Sequence, residues 1–413
     1  MGPKSGGAAI PMRKNSSFDL AVDKTIEVLV GDPCIEREPL PVYSEEACAF
    51  LSDLSKRILT DRSAREYPDV ISFGYWCRKA NVNQRAAAFL EGKTCLRMGR
   101  GLALHIAPSN VPVNFAFSYV FALLAGNASI VRVPSKPFPQ VRLILDAIRD
   151  TLDTHSAIAK RTVFVSYPSN SEATEKLSAI VDVRVIWGGD QTIESVRACK
   201  SKPRSKDIVF SDRYSFAMFD GGEIEDSSSD ELNKIASGFY NDTYLMDQNA
   251  CSSPHLIVWL NATQSAKNRF WGAVRAIAER EYLLQPAVVM DKYVKLCEDC
   301  IDGAIKGKTE FDGLLSVVDL DSVPESIEET RGKGGYFYQI DNISLCDLAV
   351  GITERTQTLV YAGLDPERLK KEIMRSGLLG IDRIVPVGSA MDIDVIWDGY
   401  DLVSEMSRII DVR

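Results

Sequence analysis

"LALHIAPSNVPVNFAFSYVFALLAGNASIVRVPSKP", residues 102–137, changes period three times within a short span. LALHI (102–106) is an apolar run of strand length, and APSNVP bends the chain after it. An almost wholly apolar stretch over 112–125 follows. Pro112 suits a first helical turn, and Gly126-Asn127 suits a helix end. ASIVRV (128–133) is the next strand, broken by PSKPFP. A helix apolar on most sides is buried on most sides, as in a sheet covered on both faces. Strand, helix and strand at this spacing predict a βαβ unit.

The same rhythm continues downstream. Val141, Ile144, Leu145, Ile148 and Leu152 share one face of a 3.6-residue period. TVFVS (162–166), VRVIW (183–187) and DIVF (207–210) read as strands, with helices near 171–180 and 191–199. After FDGGEIEDSSSD the character changes. Ser228 and Glu231 form a capping box ahead of a helix bearing Leu232, Ile235, Ala236 and Phe239 on one face. That helix delivers the chain to DQNACSSPH (247–255); a strand at 255–260 and a helix over 263–283 follow. Residues 44–60 read as largely helical, and the ending carries strand-like RIVPV and a short terminal helix. The expected division is a flexible tail over 1–20, an α/β domain over 21–221 completed by 380–413, and a second α/β domain over 222–379.

With 413 residues, one core is not enough, and two or three domains are expected. A hydrophobic content of 45% and a charged content of 25% are those of a soluble globular chain. The net charge of −9, without a basic block, argues against nucleic acid as the main partner. The nine cysteines are scattered and odd in number, unlike a secreted disulfide framework. No run is long enough to span a bilayer. A cytoplasmic enzyme is the expectation.

Several residues stand where chemistry is possible. Ala107, Pro108, Ser109 and Asn110 follow the carboxyl end of a strand, where α/β sheets bind ligands. Asn110 reads either as an oxyanion donor or as the cap of the following helix. Arg132, Pro134, Ser135 and Lys136 end the next strand, with cations suited to phosphate or to plain solvation. Trp187-Gly188-Gly189 open a helix whose N-terminus favours an anion, unless Asp190 caps it. There is no GxGxxG. Cys251, among small and polar neighbours, reads as a nucleophile or as a small core residue.

Taken in order, these motifs resemble the aldehyde dehydrogenase superfamily, and more closely its LuxC-type branch of acyl-CoA (long-chain fatty acyl) reductases. Pro108-Ser109-Asn110-Val111-Pro112, Gly126-Asn127 with Arg132-Val133-Pro134-Ser135-Lys136, Trp187-Gly188-Gly189 and Asp247-Gln248-Asn249-Ala250-Cys251 carry the resemblance. The ending DRIVPVGSAMDIDVIWDGYDLVSEMSR carries it too, and the likeness covers roughly residues 70–413. It implies two doubly covered α/β domains with mostly parallel sheets, and a C-terminal segment returning to the first domain or to an oligomer interface. It further implies Cys251 as nucleophile and Asn110 as oxyanion donor, helped by the Cys251 backbone N–H. The nucleotide is assigned to Ala107, Pro108, Ser109, Arg132, Pro134, Ser135, Lys136, Trp187, Gly188 and Gly189. The implied reaction takes an acyl-CoA or acyl-carrier/acyl-protein thioester to the aldehyde through an acyl-enzyme and a thiohemiacetal, with a homo-oligomer and an acyl-transferring partner enzyme expected.

Two departures sharpen this. Where hydrolytic relatives carry Glu-Leu-Gly-Gly, the chain reads SDRYSFAMFDGG, with no Glu to activate water. Where NAD-preferring relatives carry Glu after Pro-Ser, the chain has Lys136, which with Arg132 favours the 2′-phosphate of NADPH/NADP. No metal is expected, because CEDC (297–300) has no second ligand pair. His255 either assists the thiol or packs at strand entry, and RGKGGYFYQID (331–341) either lines an acyl pocket or forms a hairpin. The competing functions are a Cys-dependent acyltransferase or thioesterase that uses no nucleotide, and an inactive scaffold subunit of an acyl-transfer complex.

Overall fold

The computed structural model describes residues 17–20, 23–91, 95–108, 111–302, 305–311 and 313–413. The chain divides into two compact units. The first is formed by residues up to Ser211 together with Tyr400–Arg413, and the second by Asp212–Gly399.

The first unit is built on a six-stranded sheet. In spatial order its strands are Glu27–Gly31, Thr162–Ser166, Ala128–Arg132, Leu102–Ile106, Val183–Trp187 and Lys206–Phe210. All neighbours run parallel except the first pair, which is antiparallel. Leu102–Ile106 is central, and every residue in it is buried. From it the chain moves outward one way through Ala128–Arg132, then crosses to Val183–Trp187 on the other side. That reversal creates a topological switch point at the carboxyl end of the central strand.

The helix Asn114–Leu124 is buried along its whole length, as its lack of a polar face requires. It begins at Asn114 rather than at Pro112, with Val113 as its N-cap and no side-chain cap bond. Gly126 ends the turn at φ +85°, and a Cβ there would strike the Leu40 carbonyl oxygen, so only glycine fits. Asn127 then accepts from the backbone N–H groups of Arg100 (2.7 Å) and Gly101 (3.1 Å) and donates to the Met406 carbonyl (2.9 Å). The helix Pro139–Leu152 buries the predicted face of Val141, Ile144, Leu145, Ile148 and Leu152. Trp76 packs edge-on against Phe117 and Phe121, and Cys77 is fully buried; both are core residues.

The second unit carries a seven-stranded sheet, in the order Ile305–Phe311, Leu315–Leu320, Tyr336–Asp341, Pro254–Leu260, Tyr214–Asp220, Thr356–Ala362 and Arg383–Pro386. Again one edge pair is antiparallel and the other neighbours are parallel. Helices Ser229–Thr243 and Gln264–Glu281 cover one face, sealing an aromatic cluster of Phe219, Phe239, Trp259, Phe270, Trp271 and Phe337. The expected capping box at Ser228 and Glu231 is present.

Three expectations need correction. The second unit starts at Asp212 rather than near 222, because Tyr214–Asp220 pairs with Pro254–Leu260 and Thr356–Ala362. RIVPV does not complete the first domain: Arg383–Pro386 extends the second sheet, and only Tyr400–Arg413 returns. The returning piece ends in a strand, Ser407–Ile410, paired antiparallel with Leu96–Gly99 of the same chain. Finally, residues 331–341 form no hairpin, since Tyr336–Asp341 runs parallel to both of its neighbours.

Candidate active site

In the first unit, the switch point gathers the motifs read from the sequence. Ile106 lies in register with Arg132 on one side and Ile186 on the other, so the segments after all three strands leave the same edge of the sheet. Ala107 and Pro108 stand there half-buried; Ser109 and Asn110 lie outside the described residues. Arg132 lays its guanidinium 4.7 Å from the Tyr167 ring centre and donates to the Tyr167 carbonyl (3.3 Å). Pro134 is buried, while Ser135 and Lys136 are exposed. Trp187 is spent on structure: its ring stacks on Phe210 at 3.6 Å, and its Nε1 donates to Ser118 Oγ (3.1 Å). That hydroxyl also meets Nδ1 of buried His105 (2.7 Å).

Gly188 closes the turn tightly, since a Cβ there would meet Thr192 at 3.1 Å, whereas a Cβ on Gly189 would meet nothing within 4 Å. The backbone at Gly189 is therefore open to close approach. Gly189 is the N-cap of the helix Asp190–Ala198, with no side-chain cap bond, so Asp190 is its first helical residue and not its cap. Its carboxylate in the first turn already answers part of the helix dipole. An approachable backbone turn at the same sheet edge as the segment carrying exposed Lys136 fits a dinucleotide phosphate, with Trp187 as packing rather than contact.

In the second unit, Cys251 follows a two-residue kink. Asp247 and Gln248 have φ of 49° and 61°, the left-handed region, which costs non-glycine residues about 1–3 kcal/mol each. Hydrogen bonds worth about 0.5–1.5 kcal/mol apiece hold them there. Buried Gln248 donates from Nε2 to the carbonyls of Tyr336 (3.0 Å) and Pro254 (3.4 Å), and its Oε1 accepts from the Gly335 N–H (3.2 Å). Asp247 accepts from the Tyr282 hydroxyl (2.7 Å) and the Gly334 N–H (3.1 Å). On the far side, Ser215 Oγ donates to the Cys251 carbonyl (2.7 Å) at a register shift of its strand. Ser253 Oγ donates to the Asp242 carbonyl (2.8 Å). The Asp242 carboxylate clamps the backbone N–H groups of Gly388 (2.6 Å) and Ala390 (2.9 Å), and burial raises its pKa to about 7.

The Cys251 thiol is partly exposed. It reaches Asp212 Oδ1 at 4.0 Å, and Arg331 Nη1 pairs with the same oxygen at 3.0 Å. Topology explains the meeting. Asp212, Cys251 and Arg331 each lie a few residues before a strand, and those three strands are adjacent and parallel, so their entry segments share one sheet edge. Burial pushes the thiol pKa up, with Asp212 and Asp398 adding to the rise; the Arg213 backbone N–H and Arg331 oppose it. His255 is buried, stacked on Tyr214 at 5.5 Å, and pushed down to about 3 chiefly by burial, so it is neutral packing and not an imidazolium partner.

Residues 91–295 match the sequence model of the family described as Acyl-CoA reductase (LuxC). Those residues belong to the LuxC family. The chain is 25% identical over 301 residues to the long-chain acyl-protein thioester reductase of Vibrio harveyi, covering 70% of this chain and 59% of that one. A Photobacterium phosphoreum protein of the same name is 30% identical over 168 residues, covering 40% and 32%. The chain thus spans less than two thirds of the length of these curated relatives. Among solved structures, a variant of 1-pyrroline-5-carboxylate dehydrogenase from Thermus thermophilus aligns at TM-score 0.62 and 12% identity, covering 94% of this chain and 90% of that one. A lactaldehyde dehydrogenase aligns at 0.61 and 14%, covering 90% and 86%. The chain therefore has the aldehyde dehydrogenase fold.

The LuxC-family stretch contains the first unit's nucleotide-side motifs, Asp212 and Cys251, while Arg331 lies beyond it. Asp212 and Arg331 escaped the sequence reading. The signal for Asp212 is the carboxylate in SDRYSF, the stretch that lacks the hydrolytic relatives' Glu. Among the described residues no group of acidic, His and Cys side chains could hold a metal ion, and Cys297 and Cys300 stand exposed on the helix Pro286–Asp302. Among them, too, no helix is long and apolar enough to cross a membrane.

Proposed function

We propose that this chain reduces an acyl thioester to the aldehyde, carrying the acyl group on Cys251. The observation that supports this reading most strongly is a partly exposed thiol on a heavily pinned loop, within a LuxC-family stretch and against a carboxylate. Sulfur attacks the thioester carbonyl, a carbon–sulfur bond forms to Cys251, and the CoA or carrier thiol leaves. A nicotinamide, when bound, supplies the hydride that takes the acyl group to the aldehyde level. Cys251 then departs as thiolate from the thiohemiacetal, and the aldehyde is released.

In this reading Arg132, Ser135, Lys136 and the Gly188-Gly189 turn hold the nucleotide, with Lys136 favouring NADPH. Asn110 takes the oxyanion role by resemblance alone, a contribution on the order of 10²–10³ in rate. The donor is an acyl-CoA or an acyl group on a carrier or partner enzyme, as the relatives' name suggests.

Asp212 beside the sulfur favours one second reading, in which the acyl-enzyme is hydrolysed. A single assay separates the two: NADPH oxidation across acyl-CoA chain lengths, with products identified by mass spectrometry. The proposal expects aldehyde in step with NADPH consumed; free acid without NADPH consumption would establish the hydrolase instead.

A further inference from the structure

The Cys251 thiol carries a proton that must leave before sulfur can act as a nucleophile, since the thiolate is the reactive form. Burial works against spontaneous loss of that proton. Three groups from neighbouring segments bear on it. Asp398 is buried, and its Oδ1 already accepts from Arg213 Nη1 (2.6 Å) and Gln357 Nε2 (2.8 Å). The His255 ring stacks on Tyr214 and bonds to the Gly332 backbone; its Nδ1 is buried without a partner, and burial lowers its pKa to about 3. Asp212 is exposed and is the carboxylate the thiol reaches. Arg331 Nη1 pairs with that same Asp212 oxygen (3.0 Å), while its Nη2 donates to the Arg213 carbonyl (2.8 Å).

We propose that Asp212 accepts the Cys251 proton during acyl transfer and returns it to the departing thiol, with Arg331 as its positioning residue. This rests on the thioester-reductase reading above. The balance closes on the carboxylate. As the bond from Sγ to the carbonyl carbon forms, the thiol proton passes to Asp212. When the tetrahedral adduct collapses, the bond from carbon to the donor's sulfur breaks and its electron pair stays on that sulfur. Asp212 then returns the proton there and ends as the carboxylate it began; nothing is oxidised or reduced in this half-reaction. The 4.0 Å separation is loose, as such contacts commonly are before substrate binds.

The test is the rate of Cys251 acylation by an acyl-CoA against pH, without nucleotide, in wild type, Asp212→Asn and Asp212→Glu. With a carboxylate base, the wild-type rate is flat through neutral pH. In Asp212→Asn it should follow the thiolate fraction, rising about tenfold per pH unit, and be roughly 10²-fold or more below wild type at pH 7. Asp212→Glu should restore the flat profile. Alkylation of Cys251 by iodoacetamide serves as a second readout: its midpoint should move to lower pH in Asp212→Asn, because a neighbouring anion is gone. The proposal is overturned if Asp212→Asn acylates at the wild-type rate at pH 7, or slows by one factor at every pH. A wild type that acylates on no thioester overturns the reductase reading instead, and an unmoved alkylation midpoint then removes the Asp212 contact as well.

Discussion

Cys251 differs from the usual picture of an activated cysteine. Most reactive thiols owe their reactivity to a depressed pKa beside a cation or a helix N-terminus. Here burial and two carboxylates push the thiol up, and Arg331 only partly opposes them, since it is paired with Asp212. Such a thiol stays protonated more readily than a free one, and the proposed mechanism has it react when substrate and base are both in place. Lys136 stands exposed while Arg132 is drawn onto Tyr167, so the proposed nucleotide site would discriminate mainly through Lys136. Lys136→Glu exchanges attraction for repulsion at a 2′-phosphate. The expected result is a fall of at least about tenfold in the ratio of kcat/KM for NADPH over NADH, tenfold being about 1.4 kcal/mol. An unchanged ratio would remove Lys136 from the nucleotide site.

At the scale of elements, the nucleophile loop is held by what it is bonded to rather than by its own preference. Gln248 is the strut between the kink and the strand Tyr336–Asp341. Gln248→Ala leaves the Gly335 N–H and the Tyr336 carbonyl without that partner, at about 1–3 kcal/mol each. The expected loss is about 2–4 kcal/mol in the urea unfolding of the second unit, with slower acylation of Cys251; a change below about 0.5 kcal/mol would show that the loop holds itself. The strands of the first unit were legible because each is a short apolar run between turn residues, and Leu102–Ile106, Thr162–Ser166 and Val183–Trp187 begin and end where the pattern predicts. Gln248 itself was not legible. As one polar residue in DQNAC it looked merely permissive, and its role depends on Tyr336, 88 residues downstream.

Across the whole chain, the two units use opposite edges of their sheets. The first gathers its motifs at the carboxyl ends of parallel strands, which is where ligand sites in such sheets are sought. That rule placed these motifs at a ligand-accessible sheet edge, while their assignment to a nucleotide rests on the family resemblance. The second gathers Asp212, Cys251 and Arg331 at the amino ends, where no sequence rule points and where strand order must be known first. The same ignorance of strand order misassigned Tyr214–Asp220 and Arg383–Pro386, whose strand partners lie 25 or more residues away in sequence, beyond intervening elements. The central claim is that the acyl group rides on Cys251. Peptide mass spectrometry after incubation with an acyl-CoA alone should find one acyl group on the Cys251 peptide. NADPH should then discharge it with an equal amount of aldehyde. An acyl group on a different residue, or aldehyde produced by a folded Cys251→Ala variant, would contradict the account.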